Sequence, residues 1–189
     1  MKKIILIMIV LIISVQSFSQ KTNFSIGPEL ALPNSFGLKM NAGTGLGGSL
    51  RVEFPGTKHV WGIVTIGYLA FAQKKLPYSG TPPTITSFKA IPIQVGVKYY
   101  PMEKKEMPKG IFISGELGFM PSTVHFDYLN YPDRDFKESG LCTAMGMGFQ
   151  LGNIETGFRV QYNLSDSGFD VYYYNFRLAY TFLKLKVKG

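Results

Sequence analysis

Two kinds of residue alternate along the stretch Ile154-Glu155-Thr156-Gly157-Phe158-Arg159-Val160-Gln161-Tyr162-Asn163-Leu164. One set, which includes Glu155 and Arg159, is polar or glycine at every position. The interleaved set is apolar apart from Thr156. A repeat of two residues predicts a β-strand whose two faces meet different surroundings. Because the polar face carries charges of both signs, these charges are expected to pair wherever that face is enclosed.

The first 19 residues have the pattern of a secretory signal peptide. Lys2 and Lys3 form a basic start, residues 4–15 are an unbroken apolar run, and Ser17 and Ser19 are small residues of the kind that a signal peptidase recognises. An uncleaved anchor is the alternative, but this run is shorter than the ~20 residues that a spanning helix needs. We therefore predict a cleaved signal peptide over residues 1–19 and secretion through the inner membrane.

The composition of the remaining chain favours an all-β protein without a nucleic-acid partner. Glycine accounts for 21 of the 189 residues and aromatic residues for 14%. The net charge of +8 falls to +6 without Lys2 and Lys3. The remaining lysines cluster at turns and in the tail rather than among stacking aromatics, which suits anionic lipid headgroups better than nucleic acid. Cys142 is the only cysteine, so it is predicted to be a small core residue without a disulfide.

The alternating pattern recurs often enough to predict an eight-stranded antiparallel up-and-down barrel. Most segments have the 9–11 residues that a tilted strand needs to cross a bilayer, and an even count is usual for such barrels. The barrel is expected over residues 20–183 in the outer membrane, followed by a lysine-rich periplasmic tail at 184–189. The predicted strands are 23–32, 44–54, 60–72, 87–100, 110–120, 140–151, 153–164 and 171–183.

The connections between these strands alternate between long and short. Outer-membrane barrels have short periplasmic turns and longer external loops. With the N-terminus in the periplasm, the connections 33–43, 73–86 and 121–139 are expected outside. They are the longest in the chain, and 121–139 is the longest of all.

The parity of each strand predicts an apolar outside and a polar inside. An eight-stranded barrel is only wide enough for side chains to fill its interior, so buried charges must pair. Equal numbers of acids and bases predict a plug of salt bridges and no open pore. A soluble lipocalin-like barrel, with the faces inverted, is the alternative. The predicted interior charge network is Glu29, Arg51, Glu53, Lys98, Glu116, Glu155, Arg159 and Arg177.

Aromatic residues near strand ends are expected to form two girdles at the membrane interfaces. The periplasmic girdle is predicted to contain Phe54, Trp61, Tyr99, Tyr100, Tyr180 and Phe182. The outer girdle is predicted to contain Tyr68, Phe71, Phe119, Tyr172 and Tyr174.

The segment Ala90-Ile91-Pro92-Ile93-Gln94-Val95-Gly96-Val97-Lys98-Tyr99-Tyr100-Pro101 resembles a strand of the porin-like outer-membrane β-barrel domain family. That family includes PorT-type and OmpX-like small eight-stranded barrels of Gram-negative bacteria. Pro92 and the inward Lys98 carry the resemblance, which implies an eight-stranded outer-membrane barrel and brings no catalytic residues with it. Since Pro92 removes a ladder donor, a bulge is expected there.

The sequence supports neither an enzyme nor a cofactor or metal site. His125 is near Ser122, Thr123 and Asp127, but proximity within a loop is weak support for a catalytic triad. Asp127, Asp133, Asp135 and Glu138 share that loop without the glycine and ligand spacing of a calcium loop.

The predicted function is a structural or binding module that presents its external loops. Exposed aromatic residues on a rigid scaffold are frequent binding anchors. The alternatives are an accessory subunit of an outer-membrane secretion or assembly machine and a narrow solute channel. Expected partners are outer-membrane lipid and lipopolysaccharide, the barrel assembly machinery during insertion, and an envelope protein. The candidate loop residues are Phe126, Tyr128, Tyr131, Arg134 and Phe136.

Overall fold

The computed structural model describes residues 22–34, 42–73, 84–101, 110–128, 131–165 and 171–185. The predicted signal peptide lies outside these ranges. No helix in the described part is long and apolar enough to span a membrane. The strands are β1 (Thr22–Pro33), β2 (Ala42–Pro55), β3 (Val60–Gln73), β4 (Thr84–Ala90), β5 (Ile93–Tyr99), β6 (Gly110–Tyr128), β7 (Tyr131–Leu151), β8 (Ile154–Ser165) and β9 (Val171–Leu185).

All neighbouring strands pair antiparallel, and the first strand pairs with the last. β1 lies between β2 and β9, so the sheet closes on itself. β4 and β5 lie end to end and together occupy one strand position of the sheet, because both pair with β3 on one side and with β6 on the other. The nine segments therefore make an eight-stranded barrel, which confirms the predicted fold. Closure leaves no unpaired edge around the body of the barrel.

The break between β4 and β5 occurs at Pro92, but the predicted bulge is wrong. Ala90 pairs with Leu69 and Ile93 pairs with Ile66, so the register of the two strands against β3 is the same on both sides. The carbonyl of Pro92 still accepts a backbone hydrogen bond from β3 at 2.9 Å. The proline costs the ladder one donor without inserting a residue. A closed barrel can therefore hold a proline at an inward position and keep its register.

The two faces of the barrel differ as the alternating pattern predicts. Apolar side chains on the outside are extensively exposed, with Leu46 at 65% and Met145 at 76%. Charged side chains such as Lys98 and Glu155 are at most 1% exposed. This arrangement excludes the lipocalin-like alternative, in which the apolar face would be enclosed.

Three predicted girdle residues lie at inward positions of their strands, and two of them are buried. Trp61, near the start of β3, lies opposite the buried Lys98. Phe71 is 3% exposed and Tyr100 is 1% exposed. Both have inward parity, and their position near a strand end does not override the pleat of the strand. Tyr173 is also buried, between the outward-facing Tyr172 and Tyr174.

The longest predicted loop is a continuation of two strands. β6 and β7 stay paired from Pro121 opposite Ser139 to Tyr128 opposite Tyr131. The prediction that residues 121–139 form a loop is therefore wrong. Pro121, directly after the predicted strand end at residue 120, lacks an N–H, but the neighbouring pairs on both sides hold the ladder together. We call residues 121–139 the outer hairpin, and the barrel end that carries it the hairpin end.

Apolar side chains fill the interior near the hairpin end. The ring of Phe71 packs against Phe88 at a centroid distance of 5.2 Å and against Tyr173 at 5.5 Å. Cys142 is buried here as a free thiol, as predicted. We call this group the outer apolar layer, and it consists of Ala31, Leu69, Phe71, Phe88, Ala90, Met120, Val124, Cys142, Val171 and Tyr173.

Candidate functional site

All eight residues of the predicted interior charge network point into the barrel and are buried. They come from six strands around the wall, and each lies at an inward position of its own strand. None is more than 5% exposed. The acids are Glu29, Glu53, Glu116 and Glu155, and the bases are Arg51, Lys98, Arg159 and Arg177.

Six of these side chains form a closed ring in which acids and bases alternate. Each member contacts one oppositely charged group on either side. An alternating ring leaves every buried charge with two counter-charges, which offsets the cost of removing it from water. The contacts in order are Glu155–Arg51 at 2.8 Å, Arg51–Glu116 at 3.1 Å, Glu116–Arg159 at 3.4 Å, Arg159–Glu29 at 2.9 Å, Glu29–Arg177 at 3.7 Å and Arg177–Glu155 at 2.9 Å.

The other two charges attach to this ring through Glu155. The Lys98 ammonium contacts Glu155 at 2.5 Å and also contacts Glu53. It lies 4.3 Å from the centroid of the Phe112 ring, close enough for a cation–π contact. Oε2 of Glu53 has no hydrogen-bond partner in the described part of the chain, so Lys98 is the main support of that carboxylate.

Neutral side chains donate further hydrogen bonds to the carboxylates of the ring. Asn175 Nδ2 donates to Glu29 at 2.7 Å, and Thr65 Oγ1 donates to Glu116 at 2.9 Å. Ser49 Oγ donates to Glu29 at 2.5 Å. Partly satisfied polar networks are costly in a low-dielectric interior, and these donors fill positions that the bases leave open.

Very little space remains inside this network. The cavity bordered by Arg51, Glu155 and Arg177 measures about 10 Å³, at the lower limit for one water molecule. On the far side from the hairpin end, Tyr100 packs on Phe112 at 5.7 Å, and its hydroxyl donates to Gln150 at 3.0 Å. The ring therefore lies between this aromatic group and the outer apolar layer.

Inward-facing glycines let neighbouring strands approach each other closely. A Cβ at Gly47 would collide with the carbonyl oxygen of Tyr68, and one at Gly96 would collide with that of Gly115. These contacts are with backbone, which cannot rotate away as a side chain can. Glycine at such positions permits the strong local coiling that a narrow barrel requires.

The outer hairpin brings the predicted loop residues together through its backbone. Phe126 pairs with Arg134, and Tyr128 pairs with Tyr131. The side chains of these four residues lie outside the described part. Phe136 is 40% exposed. The hairpin thus collects the predicted residues in one element, while their role in binding stays a prediction.

Ser122 and His125, two of the four residues considered as a catalytic set, lie on opposite faces of β6, whereas Thr123 shares the face of His125. Ser122 is 6% exposed and points inward, whereas His125 has the opposite parity. Nδ1 of His125 is 2.6 Å from Asp135 on the adjacent strand. The side chain of His125 therefore does not lie next to that of Ser122. Among the described residues, no three His, Cys, Asp or Glu side chains converge where a metal ion could bind.

Aromatic side chains cover the outer wall of β8 and β9 near the hairpin end. Tyr174 stacks on Phe158 at 5.8 Å, and Tyr172 meets Tyr174 edge-on at 5.4 Å. Asn34 Nδ2 donates to the Tyr174 hydroxyl at 3.1 Å. This arrangement agrees with the predicted place of Tyr172 and Tyr174 in an outer girdle.

The closed antiparallel barrel, with apolar residues outside and charges inside, defines the chain as a small eight-stranded β-barrel of the outer-membrane class. No family model and no curated protein sequence matches it. Among solved structures, Ail, the attachment invasion locus protein of Yersinia pestis, is similar with a TM-score of 0.59 and 14% identity. The alignment covers 88% of this chain and 99% of Ail. Ail has also been solved in complex with the heparin analogue sucrose octasulfate.

Two proteins of Pseudomonas aeruginosa share the fold. The N-terminal β-barrel domain of OprF has a TM-score of 0.53 at 9% identity, over 84% of this chain and 97% of that domain. OprG has a TM-score of 0.52 at 14% identity, over 87% of this chain and 96% of OprG. These similarities agree with the predicted class of small outer-membrane barrels. The narrower resemblance to PorT-type proteins stays a prediction.

Proposed function

We propose that this protein is a non-enzymatic outer-membrane barrel that presents its outer hairpin as a binding module and conducts no solute. The observation that carries the proposal is the combination of a closed interior with two strands that run well beyond the apolar wall. The barrel serves as a rigid support, and recognition takes place outside it.

The closed interior supports a role without transport. The alternating ionic ring spans the interior, and apolar or aromatic side chains pack on both sides of it. A solute would have to separate buried ion pairs, and each unpaired charge would cost several kcal/mol. The ring therefore favours a structural interior over a narrow solute channel.

The outer hairpin supports a role in binding. Pairing with β4 widens the two extended strands to a three-stranded sheet, since Thr84 lies opposite Asp127. Strands hold side chains in place more precisely than an irregular loop does, and that favours recognition by a preformed surface. Ail in complex with sucrose octasulfate is an example of this fold with a bound ligand.

A non-enzymatic role is supported by the separation of Ser122, a possible nucleophile, from His125, a possible base. Acyl or phosphoryl chemistry needs a base within hydrogen-bond reach of the nucleophile. Ser122 and His125 lie on opposite faces of β6, and Asp135 engages His125 from the neighbouring strand.

Affinity capture from intact cells tests the proposal. A short tag is inserted at residues 129–130, between β6 and β7, and partners are cross-linked and identified. A matched variant carries the same tag in the turn at residues 56–59, at the opposite end of the barrel. A partner that is recovered with the barrel tagged at residues 56–59, and lost when residues 124–135 of that barrel are replaced by a two-residue turn, supports the proposal.

Two results contradict it. Identical recovery from the shortened and full-length hairpins would show that the hairpin is not the binding element. Recovery of a secretion or assembly complex through the opposite end would favour an accessory subunit instead. That alternative depends on the turn at residues 101–108 and on the predicted tail at 184–189. Residues 102–108 and 186–189 lie outside the described part, and Lys184 and Leu185, which were predicted to belong to the tail, are the last residues of β9.

A further inference from the structure

Two lysines and a threonine form a row across three adjacent strands on the outer wall. Lys89 on β4 pairs with Thr123 on β6, and Thr123 pairs with Lys137 on β7. Both lysines are exposed. Phe88 and Ala90, which flank Lys89 in the sequence, are buried, so Lys89 points away from the interior.

This row lies immediately beyond the apolar belt. The next row toward the middle of the barrel contains Ile91, which is 42% exposed. One row further, Ile93, Phe119 and Leu141 are paired and 43 to 50% exposed. Successive rows on one face are about 7 Å apart along a strand. The lysine row is therefore at the level where hydrocarbon gives way to headgroups, and lysine stems can lie along the wall there.

The two ammonium groups are available to a ligand. Within the described part of the chain, neither Lys89 nor Lys137 has an ion-pair partner. The carboxylate in the next row outward, Asp135, is engaged by His125 at 2.6 Å. The lysine backbones are separated by two strand spacings, or about 10 Å. Their flexible side chains can therefore converge on one anion over Thr123.

We propose that Lys89, Thr123 and Lys137 bind the phosphate of an outer-leaflet lipid. The row faces lipid rather than bulk solvent, and its charge is opposite to that of a phosphate monoester on a lipid headgroup. Attraction of this kind adds to the hydrophobic contact between acyl chains and the belt. The inference depends on insertion of the barrel with its hairpin end outward. Two of the three residues lie at the base of the outer hairpin, and the site does not require a partner at residues 124–135.

Native mass spectrometry of the mature protein, purified in a neutral detergent, tests this inference. The probe is diphosphoryl lipid A, compared with the same lipid after removal of both phosphates. Loss of one lysine is expected to lower retention of the phosphorylated lipid about fivefold, and loss of both about 25-fold. The variants are Lys89→Gln, Lys137→Gln and the double variant, and Lys58→Gln in the turn at the opposite end is the control for charge.

A difference in mobility between unheated and boiled samples confirms that each variant is folded. Thr123→Val removes only the hydroxyl and is expected to weaken retention by less than either lysine change. Raising the ionic strength is expected to weaken retention by wild type and not by the double variant. Equal retention of the dephosphorylated lipid, or an equal loss with Lys58→Gln, overturns the inference. Displacement of the lipid by millimolar inorganic phosphate overturns it too, because the site would then be one for a free ion.

Discussion

Arg51 and Glu155 lie 104 positions apart in the chain, and their side chains meet inside the barrel at 2.8 Å. The same oxygen of Glu155 also accepts a hydrogen bond from Arg177 at 2.9 Å, and the other oxygen contacts Lys98. Glu155 therefore joins three bases from three different strands. The centre of the barrel depends more on this carboxylate than on any of its other acids.

Neutralising Glu155 is expected to destabilise the barrel strongly. In Glu155→Gln the three bases lose a shared counter-charge while they remain buried, and breaking a buried pair in this way costs about 3–5 kcal/mol. The free energy of unfolding in urea, measured in lipid vesicles, checks this. Asp135→Asn is the control because Asp135 is 62% exposed, and its contact is expected to contribute less than about 1 kcal/mol. Equal losses in the two variants would contradict a structural role for the ring.

Removing Lys98 and Glu53 together is expected to cost less than the sum of the two single changes. Lys98→Met leaves Glu53 without its cation, and Glu53→Gln removes the charge that would be left alone. Groups in one ionic network typically couple by about 0.5–3 kcal/mol. A double-mutant cycle on the free energy of unfolding measures this coupling. Strict additivity would show that the contact between the two residues contributes nothing to stability.

Two glycine-to-alanine changes are expected to differ sharply. In Gly47→Ala the new methyl group would meet the carbonyl oxygen of Tyr68, so the strands must separate. In Gly115→Ala no heavy atom lies within 4 Å of the new group. The first variant is expected to lose at least about 1–3 kcal/mol through overpacking, and the second is expected to be near neutral. Unfolding midpoints in one detergent check both, and a neutral Gly47→Ala would refute the close approach.

Cys142 is expected to resist thiol reagents while the barrel is folded. The residue is fully buried in the outer apolar layer, opposite Gly118 on the neighbouring strand. Maleimide labelling of the folded and of the urea-unfolded protein, read out by mass, measures its accessibility. Slow labelling before unfolding and complete labelling afterwards is the expected result. Rapid labelling of the folded barrel would mean that this end of the interior admits solutes.

Purified wild-type protein is expected to show no stable conductance steps in planar bilayers. The ionic ring leaves a cavity of about 10 Å³, close to the volume of one water probe. A variant that shortens only the outer hairpin is expected to be equally silent, because the ring is unchanged. Reproducible single-channel steps from the wild type would restore the narrow solute channel as the leading function.

The sequence by itself determined which side chains face lipid and which face the interior. Alternation is a local property, because the pleat of a strand sends successive side chains to opposite faces whatever lies beside it. Glu155 and Arg159 could therefore be placed inside from one strand alone. Inward parity also marked Phe71, Tyr100 and Trp61, which were assigned to the girdles because they lie near strand ends.

Only the tertiary structure decided which buried charges meet. Parity gives the face of a residue but not its height, since strand tilt and stagger set the level at which distant strands align. Arg51 reaches Glu155 across the interior for that reason. The same holds for Pro92 and Pro121, which suggested a bulge and a strand end. Neighbouring strands hold the register through both prolines, because pairs on either side of a missing donor remain bonded.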